Sequence, residues 1–414
     1  MTRPPSESTD AVGLGVLRAA ITVLVIAHHV ALGYFPFAPP PVPSLTTALY
    51  WQAFPVVDAA RWPGALWLVA CNEKFFMSLM FLISGVFAWR SLLRKGPAHH
   101  LRDRMRRLGL PFLVAAAVLA PLAYFPAYLQ TGAPASWSGF WRQWLALPSW
   151  PAGPAWFLWL LVGYNALAAA VDPLTRRWAG GLGCVAEAAG RRPLAAFALL
   201  ASASAAAYVP MALAFDALDW TAVGPFAFQT TRAIHYGVYF AAGIALGAAG
   251  IDRGLFAPTG RLARRWPWWA LAAAVAFLAS MAIGARDFAA GGRGPWHVAG
   301  AFGFVVPCAA LSFAFLAAFL RVPWPRARLL DSLRGNAYAM YVVHYAIVSW
   351  LLYALLGAAL PAPAKAGIAF ASAVAGSWLV AAALRRIGRA VRPAPQYGNV
   401  AVSPIPSMRT ERSR

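Results

Sequence analysis

An apolar segment near the amino terminus carries three ionisable side chains. The sequence LRAAITVLVIAHHVALGYF (17–35) suits a membrane-spanning helix, yet it contains Arg18, His28 and His29. On a helix, Arg18 and His29 lie within about 20° of each other and about 16 Å apart, whereas His28 is displaced by about 80°. Each such group at mid-membrane costs about 2.5 kcal/mol or more unless it faces water or a partner. The pair therefore predicts a polar cleft; a snorkelling arginine and a purely structural histidine hydrogen bond are the alternatives.

The second apolar segment, CNEKFFMSLMFLISGVFAW (71–89), brings a carboxylate to a depth similar to that of His29. A hydrogen bond from His29 to Glu73 would make the histidine more basic, as a general base requires. A pair between Glu73 and Lys74, or between Glu73 and an arginine, is the alternative. The segment thus predicts Glu73 either beside His29 or in an ion pair.

Two other motifs suit the binding of a ligand. Ser84 and Gly85 interrupt a wall of large side chains, which lets a ligand or another helix approach the backbone. The run LRDRMRRLGLPF (101–112) places Arg104 and Arg107 three residues apart on one helix face. Two guanidinium groups on one face suit a phosphate or pyrophosphate, and anchoring at the inner membrane surface is the alternative.

Two later segments place further ionisable groups among aromatic residues. In NAYAMYVVHYAIV, Tyr341 and His344 are three residues apart and share a helix face near mid-membrane. In TTRAIHYGVYFAAGIALG, Arg232 and His235 lie at the outer end of the segment. Both segments therefore carry groups that need polar partners inside a membrane.

The elements that must position these groups are membrane-spanning helices. Of the 414 residues, 61% are hydrophobic and only 12% are charged, too few polar residues to coat a soluble protein of this length. The predicted fold class is an all-α, polytopic transmembrane helical bundle. It comprises an amino-terminal segment (1–11), a transmembrane domain (12–384) and a basic, disordered tail (385–414). About ten spans are expected, at 12–33, 66–89, 108–129, 154–172, 194–213, 229–250, 267–284, 296–320, 336–357 and 364–384.

The net charge of +22 is divided unevenly between the connections at the two sides. One set, which includes RSLLRKGPAHHLRDRMRR (90–107), contains 26 Lys and Arg residues, and the opposite set contains 5. The positive-inside rule then places the basic set and both termini in the cytoplasm. Because topology and anionic headgroups account for the charge, we expect the lipid bilayer, and no nucleic acid, as a partner. His99 and His100 are expected to be solvated in this basic stretch, and the three isolated cysteines predict no metal site.

Taken in order, these segments resemble acyltransferase family 3, polytopic bacterial O-acyltransferases. The family's first-span signature is an Arg, ten intervening residues and a His; here it matches Arg18 and His29. FFMSLMFLISGVF resembles the Phe-rich Ser-Gly stretch of the second span, and RMRRLGLP resembles the cytoplasmic Arg-x-x-Arg motif. GPAWFLWLL, YFAAGIALG and YAMYVVHYAIV match three later blocks, so the resemblance covers about residues 12–384. The second span and the RLGLP block look closest to the branch that adds succinyl groups to periplasmic glucans.

The resemblance implies that an acetyl or succinyl group moves from cytoplasmic acyl-CoA to a hydroxyl of a periplasmic or cell-surface saccharide. Acyl-CoA is then the donor substrate, its phosphates near the two arginines of the Arg-x-x-Arg motif, and no bound cofactor is expected. His29 acts as general base on the acceptor hydroxyl or carries the acyl group itself. The predicted site residues are catalytic His29, Arg18 and Glu73; acyl-CoA-binding Arg104, Arg107, Ser84 and Gly85; and, lining the cleft or acceptor site, Trp156, Tyr341 and His344.

Two other kinds of protein carry ionisable groups inside the membrane. A proton-coupled transporter or flippase does so, but the sequence lacks the related halves or interrupted helices of many carriers. A membrane scaffold would leave the alignment of Arg18 and His29 unexplained. We therefore expect a multi-pass acyltransferase of the cell (inner) membrane. The sequence leaves the acyl group, the acceptor and the oligomeric state open.

Overall fold

The computed structural model describes residues 9–47, 49–217, 219–325 and 327–390. Most of the predicted tail and the first eight residues lie outside this part of the chain. Two strands form a hairpin, β1 (Trp220–Val223) and β2 (Phe226–Gln229). The helices are α1 (Thr9–Leu32), α2 (Pro63–Lys95), α3 (Pro97–Gln130), α4 (Trp137–Leu145), α5 (Trp156–Ala170), α6 (Asp172–Arg177), α7 (Ala179–Arg191), α8 (Pro193–Ala214), α9 (Ala233–Gly247), α10 (Arg261–Arg264), α11 (Trp266–Ala289), α12 (Pro295–Arg321), α13 (Arg328–Ala354) and α14 (Ala362–Ala390).

Nine helices of the described residues are long and apolar enough to cross a membrane, which confirms a polytopic, all-α fold. They correspond to nine of the ten predicted spans. The sixth, predicted at 229–250, is instead the 15-residue helix α9. At about 1.5 Å per residue α9 is about 22 Å long, shorter than the hydrocarbon core of about 30 Å. The first predicted residues of this span belong to β2 and to the turn after it, so Arg232 stands at the very start of α9.

Contacts between the connections distinguish two ends of the bundle. At the first, called the basic end, Arg261 donates to the carbonyl of Arg191 (2.6 Å). At the second, called the opposite end, Lys365 pairs with Asp58 (2.7 Å). This grouping of connections is the one that the predicted topology requires. The orientation, with the basic end facing the cytoplasm, stays a prediction.

Three prolines inside membrane spans free backbone carbonyls that side chains of α2 and α13 satisfy, which ties these helices to their neighbours. Proline has no N–H, so the carbonyl four residues earlier loses its helical donor, a costly loss within a membrane. Such prolines are Pro111 and Pro126 in α3 and Pro307 in α12. α3 also contains two π-helical turns, at Met105–Gly109 and Ala115–Leu119. The freed carbonyls and their donors are Arg107 with Tyr338 (2.5 Å), Leu122 with Trp350 (3.0 Å) and Gly303 with Lys74 (3.2 Å).

Connections at the opposite end contain structure that the sequence pattern did not predict. α4 begins after Ser136, whose hydroxyl accepts a hydrogen bond from the N–H of Gly139 (3.2 Å). The hairpin turns at Gly224, whose φ of 56° favours glycine. The indole N–H of Trp159 donates to the carbonyl of Ala227 (2.8 Å), so the hairpin lies over the start of α5.

The basic stretch between α2 and α3 is not solvated throughout, and the expectation for His100 is wrong. Its side chain is fully buried, with ring nitrogens 2.9 Å from the Ser91 hydroxyl and 2.9 Å from the Asn165 side-chain oxygen. Because the amide oxygen only accepts, Nε2–H donates to Asn165 and Nδ1 accepts from Ser91. His99 is exposed, as predicted. His100 therefore joins α2, α3 and α5 at the basic end.

Candidate active site

His29 lies in a cluster of aromatic rings formed by α1 and α13. Its ring centroid is 5.0 Å from that of His344 and 5.0 Å from that of Tyr345. Nε2 of His344 is 3.3 Å from Nδ1 of His29. The structure therefore brings one of the predicted cleft residues, His344, against the predicted base.

The hydrogen bonds of the two histidines leave one nitrogen of His29 free. Nδ1 of His29 is 2.8 Å from the carbonyl oxygen of Val25, and Nδ1 of His344 is 2.6 Å from that of Tyr341. A carbonyl oxygen only accepts, so each neutral ring carries its proton on Nδ1 and a lone pair on Nε2. The lone pair of His344 faces the Nδ1–H of His29. Nε2 of His29 has no hydrogen-bond partner among the described residues, and the side chain is partly exposed, as a general base requires.

The structure pairs Glu73 with His28 and Arg232 rather than with His29. Its carboxylate oxygens are 3.4 Å from Nε2 of His28 and 2.5 Å from Nη1 of Arg232. The ion pair with an arginine, the alternative in the sequence analysis, is therefore the one formed. His28 faces α2, in a different direction from its neighbour, and the two histidine rings are 5.3 Å apart. Glu73 thus adjoins the candidate base through His28, without contacting it.

A second polar cluster, to which the sequence analysis assigned no role, surrounds His235 inside the bundle. His235 is fully buried, and its ring nitrogens are 3.0 Å from the Ser78 hydroxyl and 2.7 Å from the Ser204 hydroxyl. The sulfur of Cys308 is 3.6 Å away. Because both ring nitrogens are engaged and none is accessible, His235 serves to fix the start of α9, where Arg232 stands.

Arg18 lies with the arginines of α3, about 16 Å along α1 from the candidate base. Its guanidinium is 5.7 Å from the ring centroid of Phe87, and Arg104 is close enough to Arg18 and Arg107 for their charges to repel. Arg104 is partly buried, and its Nε has no partner among the described residues. Arg107 is exposed, with Nε 2.9 Å from Asp103. An arginine cluster with an unpaired, buried donor suits a phosphate group.

Aromatic side chains of α13 connect the arginine cluster with the candidate base. Tyr338, Tyr341 and His344 follow one another at three-residue intervals, a rise of about 9 Å. The hydroxyl of Tyr338 donates to the carbonyl of Arg107 (2.5 Å), and the rings of Tyr341 and His344 are 5.7 Å apart. Since His344 contacts His29, successive aromatic side chains of α13 link the two parts of the site.

Gly85 is buried between helices. A Cβ there would collide with the carbonyl oxygen of Phe240 and lie 3.0 Å from the backbone nitrogen of Ile244. On α9, a Cβ added to Gly243 would in turn lie 3.1 Å from the Cα of Gly85. The glycine permits close approach of two helices, as small residues do in membranes, so the helix alternative of the sequence analysis is the one formed and its contact with acyl-CoA stays a prediction.

Ser84 and Trp156 lie apart from the histidine pair. Ser84 is partly exposed on α2, one turn before Phe87, so it stays a candidate for donor contact. Trp156 stacks on Tyr236 with centroids 5.8 Å apart and meets Trp220 edge-on at 5.7 Å. It therefore lies between α9 and the hairpin, on the side of the Glu73 ion pair.

Fold and site together describe a multi-pass membrane protein with ionisable groups organised inside its helical bundle. A family model described as an acyltransferase domain matches residues 12–382. The chain therefore belongs to acyltransferase family 3 and is an acyltransferase. Comparison with curated proteins and with solved structures gave no match.

Proposed function

We propose that this acyltransferase moves an acyl group from acyl-CoA, bound at the basic end, to a hydroxyl of a saccharide that enters from the opposite end. The observation that carries the proposal is the free Nε2 of His29, held in place by Val25 and His344. Family membership supports group transfer over the transporter alternative. The positive-inside asymmetry supports a cytoplasmic donor and an acceptor on the far side of the cell membrane.

The chemistry proposed for the histidine pair is general base catalysis. Nε2 of His29 takes the proton of the acceptor hydroxyl while the hydroxyl oxygen attacks the thioester carbonyl carbon. The new C–O bond forms, the C–S bond breaks, and the departing CoA thiolate receives the proton from His29. The carbonyl of Val25 and Nε2 of His344 share the Nδ1–H of His29, and both stabilise the imidazolium that forms.

The donor is proposed to lie along α13. Arg104 and Arg18 bind its phosphates at the basic end, where Nε of Arg104 has no partner among the residues that the structure describes. The pantetheine arm passes Tyr338 and Tyr341 toward His29, with Ser84 on the neighbouring helix. The pantetheine arm can span the distance between the phosphate site and His29, which is too long for any single side chain.

A donor assay with arginine variants tests the proposal. Protein in nanodiscs is given acetyl-CoA or succinyl-CoA with a glucan oligosaccharide, and free CoA is measured. Arg104→Gln is expected to raise KM for the active donor by about tenfold or more, because a charged hydrogen bond contributes roughly 1.5–3 kcal/mol. Arg107→Gln is expected to change KM by less than about threefold, since that guanidinium is exposed and paired.

The exposed Arg102 provides a matched control on the same helix, and Arg102→Gln should leave KM unchanged. The proposed donor site is supported if one donor releases CoA and if the rise in KM is largest for Arg104→Gln, smaller for Arg107→Gln and absent for Arg102→Gln. Release from neither donor contradicts acyl transfer from these thioesters. Equal effects of all three substitutions contradict the phosphate site.

A further inference from the structure

The charges beside His28 do not balance. Arg232 and Lys74 lie over the same ring, with the guanidinium 4.7 Å and the ammonium 5.5 Å from the centroid of Phe304. Arg232 also pairs with Glu73 at 2.5 Å, and His28 adds no negative charge to the group. Two cations therefore meet one carboxylate, which leaves one positive charge without a counter-charge from the residues that the structure describes.

The charge of Lys365, a buried lysine at the same end of the bundle, is balanced by a carboxylate. Lys365 and Asp58 pair one to one, and their side chains are only 4% and 6% exposed. The side chain of Glu73 is 35% exposed and Lys74 is partly exposed, so the bundle does not seal this cluster as it seals the pair of Lys365 and Asp58. The carboxylate of Asp287 does not supply the missing charge, because it contacts His297 (3.2 Å) rather than Lys74.

Lys74 has a structural role that does not require its charge. Its ammonium donates to the carbonyl of Gly303, which Pro307 leaves without a helical donor. A neutral amide side chain also carries an N–H donor for that carbonyl. Within a membrane the charge costs about 2.5 kcal/mol or more, so capping the carbonyl does not explain why a lysine stands here. An unbalanced cation in poorly solvated surroundings strongly attracts an anion.

We propose that Lys74, with Arg232 behind it, binds an anionic group, a carboxylate or phosphate, on the substrate at the opposite end of the site. The proposal rests on the proposed function for its link to catalysis, since the ring of His28 is 5.3 Å from that of His29. The anion is either a substituent of the saccharide or the distal carboxylate of a dicarboxylic acyl group. Lys74 thus distinguishes charged substrates from neutral ones.

Binding measurements with two matched ligand pairs test this site. Protein in nanodiscs of zwitterionic lipid is titrated with a glucose oligosaccharide with and without a terminal phosphate, and with succinyl-CoA and butyryl-CoA. We expect wild type to bind the anionic member of at least one pair about tenfold more tightly, the usual value of one charge-assisted hydrogen bond. Lys74→Gln keeps a donor for Gly303 but removes the charge, so it should fold normally and lose the preference.

Lys74→Arg is expected to retain the preference, as is the control Lys95→Gln, which alters a lysine of the basic end. A preference within the saccharide pair assigns the site to the acceptor, and one within the thioester pair assigns it to the acyl group. The proposal is overturned if wild type shows no preference in either pair, or if the preference survives Lys74→Gln. These results are independent of turnover, whereas absent CoA release would contradict the proposed function alone.

Discussion

Alanine in place of His29 lowers the rate of CoA release by about 10²–10⁴-fold, the contribution of a positioned general base. The expectation follows from the hydrogen bonds of the ring, since Val25 and His344 occupy the Nδ1 side and leave Nε2 to the acceptor. The loss should appear in kcat, with little change in KM for acyl-CoA, because the proposed phosphate site lies at the basic end, away from His29. Steady-state CoA release by wild type and His29→Ala, at matched thermal stability, measures both parameters.

His99→Ala is the matched control, since that histidine is exposed at the basic end and touches neither part of the site. It should retain the wild-type rate. If His29→Ala leaves kcat unchanged, or only raises KM, then His29 is not the general base.

Methionine in place of Lys365 destabilises the folded protein by about 3–5 kcal/mol, because it leaves the Asp58 carboxylate buried without its cation. The pair is 2.7 Å apart, and both side chains are at most 6% exposed. The backbone N–H of Asp58 also donates to the carbonyl of Gly33 (2.9 Å), so the pair anchors the connection that follows α1 and its histidines. The free energy of unfolding in detergent, measured for wild type and Lys365→Met, tests the expectation.

The double variant Asp58→Asn/Lys365→Met removes both charges and should recover most of the loss, because a neutral pair avoids the desolvation penalty. Lys95→Met, which breaks the more exposed pair with Asp103, is expected to cost no more than about 1 kcal/mol. Equal losses for Lys95→Met and Lys365→Met, or a double variant as unstable as the single one, would show that the buried charge is not the cause.

The spans and the direction of the first-span histidines could be predicted because they depend on local periodicity. Helical geometry alone separates His28 from His29, and the structure places them against different helices. The two guanidinium groups of α3 could also be placed on one face by their spacing. Their different surroundings could not, because Arg107 pairs with Asp103 whereas Arg104 lies near Arg18, which comes from another helix.

The partners of buried polar groups could not be predicted, because they come from distant parts of the chain. Glu73 has Lys74 beside it in sequence, yet its closest cation is Arg232, 159 residues away. Gly85 suits a ligand or a helix equally well until α9 is seen to pack against it. His100 looks solvated within a run of charges, and only the fold brings Asn165 to its ring.

Transfer of the acyl group across the bundle is the central claim, and a sided reconstitution tests it most directly. Proteoliposomes are sorted for one orientation, labelled acyl-CoA is supplied at the basic end, and a glucan oligosaccharide is enclosed at the opposite end. The proposal predicts labelled, acylated saccharide inside the vesicles, CoA released outside in equal amount, and neither with His29→Ala. Unmodified saccharide crossing the membrane without CoA release, or acylated product on the donor side, would contradict it.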